Sequence, residues 1–388
     1  MDERIMFIAK WLEKEHSVSA LCQHFGISRK TGHKWIGRYK AEGAAGLKEK
    51  LRAPLWQARA TPLEIEAAIL DLAWHYRGKR GPKKLHAILR RQQPDVRWPA
   101  ASTIGAILKR HGLVTPRRRC RKSPPYEQPL AHCHQCNDVW SADLKGWFTT
   151  KNGERCDPLT ITDNHSRFLL RCQLVRPPQY RRIQPVFESA FREYGLPVAI
   201  RTDNGAPFAS TAVGGLSRLS IWWLHLGIRP ERITPGKPQQ NPRHERMHRS
   251  LKDDVCRPVR TSWASQQRAL DDFRDDFNHI RPHETLDQNI PADHYTPSTR
   301  AYPEIVPEIT YPDDMQRRTV RRKGDFTWKG HHIFLSELLA GELIGLRQVS
   351  DERQDIYFGP IRLAQLDTVN AKLIHLIRKR PQSGHKNT

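Results

Sequence analysis

Residues 139–146 read VWSADLKG, and at this stretch the chain changes from helix-forming to strand-forming sequence. Working outward, the pattern predicts strands at 139–148, 159–162, 168–174, 198–202 and 228–233, and helices at 183–194, 216–226, 242–255 and 264–279. Three strands followed by alternating helices and strands are typical of an α/β fold with a mixed sheet. Residues 138–300 are therefore expected to form an α/β core.

Three acidic residues of this core lie at strand ends or on a helix. Asp143 lies in the first strand, Asp203 closes a later strand in the sequence RTDNGAPF (201–208), and Glu245 begins a helix in GKPQQNPRHER (236–246). Carboxylates alone would repel a phosphodiester, whereas carboxylates holding Mg²⁺ reverse the local sign of the charge. The alternative is three ordinary surface acids, since Asp-Asn is a common turn sequence, as at Asp163 in the predicted turn 163–166.

The three motifs, taken in order, resemble the catalytic core of bacterial insertion-sequence transposases of the DDE superfamily, which are related to retroviral integrases. The resemblance implies a ribonuclease H-like fold with a mixed five-stranded sheet. It implies that Asp143, Asp203 and Glu245 are the catalytic, metal-binding triad, and that Lys252 contacts DNA near it. The segments 281–283 and 290–292 resemble the closing part of such a core.

The sequence departs from that family in three places. Forty-two positions separate Asp203 from Glu245, which is longer than in retroviral integrases, and the paired His and Cys of the retroviral zinc domain are absent from the N-terminus. Pro242 stands where relatives usually carry glycine. Proline suits the first turn of a helix, but it would stiffen a loop that must move, so a catalytically inactive, transposase-derived DNA-binding regulator is an alternative.

The N-terminal residues 1–55 predict a helix-turn-helix DNA-binding domain. Apolar residues at helical spacing end at Gly26, and Ser28 can cap a following helix from residue 29 to about residue 41. One face of that second helix carries four basic side chains: Arg29, Lys30, His33 and Lys34. Basic groups near the start of such a helix can contact bases and phosphates in a major groove.

Residues 56–114 predict a second helical domain. Its sequence is compatible with another helix-turn-helix, in which Ser102 would cap the last helix, or with a helical spacer. Residues 115–137 form a basic linker, suited either to lie along a phosphate backbone or to act as a solvated tether.

After the core, residues 301–318 predict a proline-containing linker and residues 319–378 a small β-barrel, because short stretches of alternating polarity follow one another there. Residues 379–388 predict a disordered basic tail. The fold class expected for the whole chain is therefore multidomain: an all-α N-terminal region, an α/β core and a small C-terminal β-barrel.

The charge of the chain indicates a polyanionic partner. Its 388 residues carry 65 Lys and Arg against 41 Asp and Glu, a formal net charge of +24. Residues 1–127 hold 27 of the basic and 11 of the acidic residues, so two thirds of the excess lies in the first third of the chain. Nucleic acid is the first candidate for such a partner. An anionic membrane is the weaker one, because the sequence contains no run of about 20 apolar residues.

The cysteines and tryptophans allow two further interpretations. Seven scattered cysteines and an acidic N-terminus without a cleavage site favour a reducing cytoplasm over secretion. Cys133 and Cys136 have the spacing of zinc ligands, but no second pair is evident in the sequence. Four tryptophans could stack on bases or belong to the core: Trp140, Trp147, Trp222 and Trp223.

The resemblance implies a transposase that binds the terminal inverted repeats of its element. With two Mg²⁺ or Mn²⁺ ions it would cut DNA and then join the freed 3′-hydroxyl to target DNA. Its partners would be double-stranded DNA and further copies of the chain, as a dimer or higher oligomer, and its location the cytoplasm, at the nucleoid when bound to DNA. A nuclease without joining activity is a further alternative.

Overall fold

The structure, a computed structural model, describes residues 3–48, 61–114, 130, 132–210, 212–233, 242–257 and 259–375. Most of the predicted linker 115–137, the predicted tail 379–388 and residues 234–241 lie outside the described residues. The chain divides into two compact units, Met1–Leu63 and Glu64–Thr388. No helix among the described residues is long and apolar enough to cross a membrane.

The first unit is a three-helix domain with its own core. Helices α1 (Glu3–Leu12), α2 (Val18–His24) and α3 (Arg29–Glu42) pack around Phe7, Leu21 and Ile36. Gly26 has a φ of +62° in the turn between α2 and α3, and the Ser28 hydroxyl accepts a hydrogen bond from the Thr31 amide at the start of α3. The predicted helix-turn-helix region is confirmed, because the turn and the cap occur where the sequence places them.

The second helical region comprises α4 (Leu63–His75), α5 (Pro82–Gln92) and α6 (Ala101–Arg110), which share a small apolar core. Pro82 occupies the first turn of α5, where its missing N–H removes no helical bond. The prediction that Ser102 caps α6 is wrong: the cap position is Ala100, and Ser102 lies inside the first turn. Whether this region reads DNA stays a prediction.

Ion pairs attach this helical region to the α/β core. Arg80 pairs with Asp276 at 2.5 Å, Arg91 with Asp293 at 2.6 Å and Lys83 with Glu284 at 3.5 Å. Lys79 also pairs with Asp254, at 3.2 Å. Among the described residues, the apolar cluster of α4–α6 contains no side chain of the α/β core. The attachment is therefore mainly electrostatic.

The α/β core contains a mixed sheet whose five longer strands have the order β4-β3-β1-β5-β6. The strands are β1 (Val139–Leu144), β3 (Arg155–Asp163), β4 (Leu169–Val175), β5 (Ala199–Thr202) and β6 (Arg229–Arg232). β1 runs antiparallel to β3 and parallel to β5, and β5 runs parallel to β6. The mixed sheet is as predicted.

A two-residue strand, β2 (Phe148–Thr149), pairs with the start of β3 and makes a sixth strand. The single strand predicted at 139–148 is thus wrong, since it is divided between β1 and β2. Gly146, with a φ of +85°, lies in the break between the two strands, a conformation that other residues rarely adopt.

Helices cover both faces of the sheet. On one face, α7 (Tyr180–Tyr194) and α8 (Arg218–His225) pack against Trp140 and its neighbours, with Trp223 fully buried. On the other face lie α9 (Pro242–Leu251) and α10 (Trp263–Asp275). Because side chains alternate along a strand, burial of Trp140 and Ala142 under α7 and α8 turns Asp143 toward the α9 side.

The same packing shows which of the four tryptophans belong to the core. Trp140, Trp222 and Trp223 belong to the core, which leaves them unavailable for stacking on bases. Trp147 alone of the four is largely exposed, and the Arg155 guanidinium lies 5.2 Å from the centre of its ring.

The C-terminal region forms two open sheets rather than the predicted barrel. Five antiparallel strands have the order β13-β12-β11-β10-β7, and β8 (Asp325–Trp328) forms a separate two-stranded sheet with β9 (His331–Phe334). The other strands are β7 (Met315–Thr319), β10 (Leu343–Ser350), β11 (Arg353–Phe358), β12 (Ile361–Asp367) and β13 (Lys372–His375). The barrel prediction is not confirmed, because among the described residues no strand pairing joins the edge strands β7 and β13 to each other.

This region packs on the α/β core through α8. Ile221 and Leu224 of α8 join the apolar cluster that includes Phe326 and Ile344. The two faces of α8 therefore belong to two different cores.

An ion pair at this junction predicts a pH-dependent stability. His225 Nε2 lies 2.8 Å from Glu342 Oε2, and Nδ1 lies 2.9 Å from the Pro307 carbonyl. The bond to Glu342 raises the pKa of His225 above its ordinary 6.5, with a further contribution from the charge of Glu308. This stabilisation is complete below pH 6.5 and is lost as the pH rises through the raised value.

We therefore expect thermal melts of the wild-type protein to show a larger fall in Tm between pH 6 and pH 9 than melts of the His225→Gln variant. Glutamine keeps a polar side chain but does not titrate in this range. An equal fall in both proteins would contradict the assignment.

Candidate active site

Asp143 and Asp203 lie at matching ends of two neighbouring parallel strands. Ser141 of β1 is the register partner of Arg201 of β5, and each aspartate follows two residues later in the same direction. The side chain of Asp143 is 30% exposed. Asp203 Oδ1 is buried and, among the described residues, has no hydrogen-bond partner. Two sequence-predicted acids thus meet at one edge of the sheet.

Glu245 lies in the first turn of α9 and is exposed. The helix is fixed on the sheet by two buried histidines that flank Glu245. His244 Nε2 and His248 Nε2 lie 2.8 and 2.6 Å from Thr160 Oγ1, and His244 Nδ1 lies 2.9 Å from Thr162 Oγ1. Since Thr160 is the register partner of Asp143 on β3, these contacts bring the start of α9 beside Asp143.

The pKa of Asp143 shows that the acids lie close to one another. The pKa of Asp143 is raised to about 7, first by burial, then by the negative charge of Asp203 and, to a smaller extent, of Glu245. The Leu144 amide and Lys145 act in the opposite direction. Bringing these carboxylates together is therefore unfavourable unless a proton or a cation compensates their charge.

The two histidines were not singled out by the sequence reasoning. Burial lowers the pKa of His244 to about 3 and strongly lowers the pKa of His248, so both rings are neutral at pH 7. His248 Nδ1 lies 3.5 Å from Asp143 Oδ2. The signal that could have revealed them is their i, i+4 spacing around Glu245, which places both on one helix face.

The donor set fits a divalent cation. Asp143, His244 and His248 each offer a ligand atom, and these atoms lie within 4.8 Å of one another. Both nitrogens of His244 already contact threonine hydroxyls, so Asp143 and His248 are the freer donors of that group. The unpartnered Asp203 oxygen and the repulsion among the acids point to an oxygen-rich site, which suits Mg²⁺ or Mn²⁺.

The predicted DNA-contact residues lie at the surface of the elements that carry them. Arg29, Lys30, His33 and Lys34 are all exposed on α3. Lys252 is exposed in the π-helical turn Lys252–Cys256 that continues α9. These positions agree with surface contacts, and the roles of the five residues stay predictions.

Two other sequence interpretations change with the structure. Asp163 is not a simple turn residue but is 1% exposed, and its carboxylate accepts bonds from the Asn137 amide and from the amide and hydroxyl of Ser166. Cys133 and Cys136 belong to no cluster of metal ligands among the described residues, where the sole such group is that of Asp143, His244 and His248. The zinc alternative is therefore unsupported.

Family comparisons agree with this architecture. Two models described as "Integrase core domain" match residues 134–238 and 226–291. A "Helix-turn-helix domain" matches residues 3–54, and a "Homeodomain-like domain" matches residues 31–108. Residues 134–291, which include the mixed sheet, thus match integrase core models, and residues 3–54 match a helix-turn-helix model.

Similar proteins come from bacterial mobile elements. The chain is 28% identical over 231 residues to the insertion element IS407 uncharacterized 31.7 kDa protein of Burkholderia multivorans, covering 59% of this chain and 79% of the relative. It is 29% identical over 230 residues to the insertion element IS476 uncharacterized 39.2 kDa protein of Xanthomonas euvesicatoria, covering 59% of this chain and 63% of the relative.

Solved structures similar to the chain include retroviral integrases. The HTLV-2 integrase catalytic core domain in complex with magnesium is 14% identical, with a TM-score of 0.34, over 42% of this chain and 99% of that one. The simian T-cell lymphotropic virus intasome in complex with the PP2A regulatory subunit B56 gamma is 17% identical, with a TM-score of 0.36, over 76% of this chain and 98% of that one.

The family models and the relatives together show that the chain is similar to insertion-element proteins and, over residues 134–291, to integrase core domains.

Proposed function

We propose that this protein binds the terminal inverted repeats of an insertion element and catalyses metal-dependent DNA cleavage and strand transfer. The observation that supports this most directly is the position of Asp143 and Asp203 at matching ends of adjacent parallel strands, with the charge of Glu245 acting on Asp143. Acids gathered in this way, on a chain of net charge +24, suit the handling of a phosphodiester.

Asp143, Asp203 and Glu245 would hold Mg²⁺ or Mn²⁺, in our proposal two ions. When bound, the metal would neutralise charge on the reacting phosphate and favour deprotonation of the attacking hydroxyl or water. The chain itself positions the metal-binding side chains. The sheet fixes the two aspartates, and His244 and His248 fix the helix that carries Glu245 through their contacts with Thr160 and Thr162. As neutral rings, they bring no cation that would compete with the metal.

DNA-end recognition is assigned to the N-terminal unit. The basic side chains at the start of α3 are exposed and stand on a helix that a turn and a cap hold rigidly against α2. Such a helix can enter a major groove while Lys252, beyond α9, contacts the backbone near the acids. Joining two element ends in one event requires at least two active sites, so the working form would be a dimer or a larger assembly on DNA.

The experiment is a strand-transfer assay with full-length protein, a labelled duplex carrying the element end with its flanking DNA, a target plasmid, and Mg²⁺. We expect cleavage at the element end followed by covalent joining of the freed 3′-hydroxyl to the plasmid. Cleavage without joining would indicate a nuclease. Specific binding without cleavage in either Mg²⁺ or Mn²⁺ would indicate a DNA-binding regulator, and both outcomes would contradict the proposal.

A further inference from the structure

A cavity lies beside α9, on a different face of the helix from His244 and His248. It has a volume of about 250 Å³ and is lined by Arg243, Arg246, Met247 and Ser250 of α9, at positions i, i+3, i+4 and i+7. Residues from other places also line it, among them Lys84 of α5, Arg167 after β3, and Arg281 and His283 beyond α10. The histidine pair and the cavity therefore occupy separate faces of one helix.

Four of the five cations of this cavity are poorly compensated, whereas Arg281 pairs with Asp254 and Asp276. Among the described residues, Lys84, Arg167, Arg243 and Arg246 form no ion pair with a carboxylate. Arg167 Nε and Nη1 are buried without a hydrogen-bond partner in the same part of the chain. The one carboxylate in the lining, that of Asp163, is already engaged by Asn137 and Ser166.

The lowered pKa values of Arg167 and Lys84 reflect the same lack of compensating charge. Burial, followed by the charge of Arg243, lowers the pKa of Arg167 to about 10. Burial and the charges of Arg281 and Arg80 lower the pKa of Lys84 to about 8. Holding several cations together in a partly buried cavity is unfavourable without an anion among them. The cavity is thus electrostatically suited to an anionic ligand.

From this geometry we infer that the cavity binds a backbone phosphate of the DNA on which the enzyme acts, outside the metal-binding cluster. Guanidinium groups match the oxygens of a phosphate in a bidentate way. At about 250 Å³ the cavity is smaller than the roughly 300–1,000 Å³ pockets that take drug-sized ligands, so a phosphate with part of its sugar fits better than a whole nucleotide. A DNA strand gripped here would be held by the same helix that carries Glu245.

This inference rests on the proposed function only in the choice of DNA as the source of the phosphate. Two variants test it. Arg246→Ala removes an exposed cation of the cavity, and Arg167→Gln removes the buried guanidinium while keeping a polar side chain. Arg268→Ala is the matched control, because Arg268 is an exposed arginine of α10 that does not line the cavity.

The first measurement uses inorganic phosphate as the probe, with full-length protein and no metal. Thermal melts in phosphate and in chloride at equal ionic strength should show a higher Tm in phosphate for the wild type and for Arg268→Ala. The increase should be lost in Arg167→Gln and reduced in Arg246→Ala. If Arg167→Gln does not fold, Arg246→Ala carries the test alone.

The second measurement uses metal-free binding to element-end duplex. In a plot of log affinity against log salt concentration, the slope is negative. For each cavity variant it should be shallower by about 0.9, because one phosphate is no longer neutralised. Ethylation of single backbone phosphates should reveal one position that weakens binding of the wild type and of Arg268→Ala but not of Arg167→Gln or Arg246→Ala.

Unchanged slopes and interference patterns in both cavity variants would overturn the inference. So would an equal loss in the Arg268→Ala control, which would show a general effect of charge. Protection by inorganic phosphate without any change in DNA binding would indicate a small-anion site only, and this also overturns it. Because these measurements need no metal and no catalysis, a failure of cleavage or joining would contradict the proposed function and leave the cavity result standing.

Discussion

Replacing Asp203 by asparagine should abolish nearly all Mg²⁺-dependent cleavage and joining. The amide keeps the shape of the side chain but removes the negative charge of a buried, unpartnered oxygen at the edge of the sheet. Groups that merely orient metal ligands are worth roughly 10- to 100-fold in metal affinity or activity, so the loss of a ligand should exceed about 100-fold. Cleavage and strand-transfer rates of the purified variant measure the effect.

Two controls accompany that variant. Asp275→Asn makes the same substitution at a side chain that is 71% exposed at the end of α10, and it should leave both rates unchanged. Asp163→Asn, which the sequence alone would favour as the control, is unsuitable because the Asp163 carboxylate is buried and accepts several hydrogen bonds. Binding of Asp203→Asn to element-end DNA should equal that of the wild type. Full Mg²⁺-dependent activity in this variant would contradict the assignment of the acids.

The double variant Arg29→Ala, Lys30→Ala should bind element-end DNA much more weakly. Both residues are exposed at the start of α3, and a side chain that reads a base contributes about 1–3 kcal/mol to specific binding, or roughly 5- to 150-fold. Gel-shift titrations with element-end duplex and with unrelated duplex measure the loss. Affinity for the unrelated duplex should fall less, because other basic residues still neutralise phosphates.

A matched control for this pair is Lys10→Ala, Lys40→Ala. It removes the same charge from α1 and from the far end of α3, where Lys10 pairs with Glu13 and Lys40 lies 5.5 Å from the ring of Trp11. Its preference for element-end over unrelated DNA should match that of the wild type. If the Arg29, Lys30 pair keeps that preference too, α3 is not the helix that reads the sequence.

Local signals in the sequence account for the parts of the fold that were predicted well. The turn at Gly26 and the cap at Ser28 follow from residue types that favour those conformations over a few neighbouring positions. The positions of Asp143 and Asp203 follow from the alternation of strands and helices, since parallel neighbouring strands bring their ends to one edge of a sheet. The resemblance to a family added the roles of these acids, which the residues alone left open against ordinary surface acids.

Features that depend on distant contacts were not predictable. The bonds from His244 and His248 to Thr160 join residues more than 80 positions apart, and neither helix propensity nor strand alternation encodes them. The burial of Asp163 depends in the same way on the Asn137 amide. In the C-terminal region, alternation predicted strands correctly but not whether the sheet closes, because closure is decided by pairing between the edge strands.

The charged attachment between α4–α6 and the α/β core has a consequence for how genes of this kind can diversify. Among the described residues the two parts share no apolar cluster, so exchanging α4–α6 for an unrelated module would leave the interior of the α/β core intact. Of the acids that receive the ion pairs, Glu284 and Asp293 would need new partners, whereas Asp254 and Asp276 also pair with Arg281 of the core. A few codon changes could re-establish such a junction, whereas a shared apolar interior would have to be repacked residue by residue. The same α/β core could in this way acquire a different helical attachment over evolutionary time.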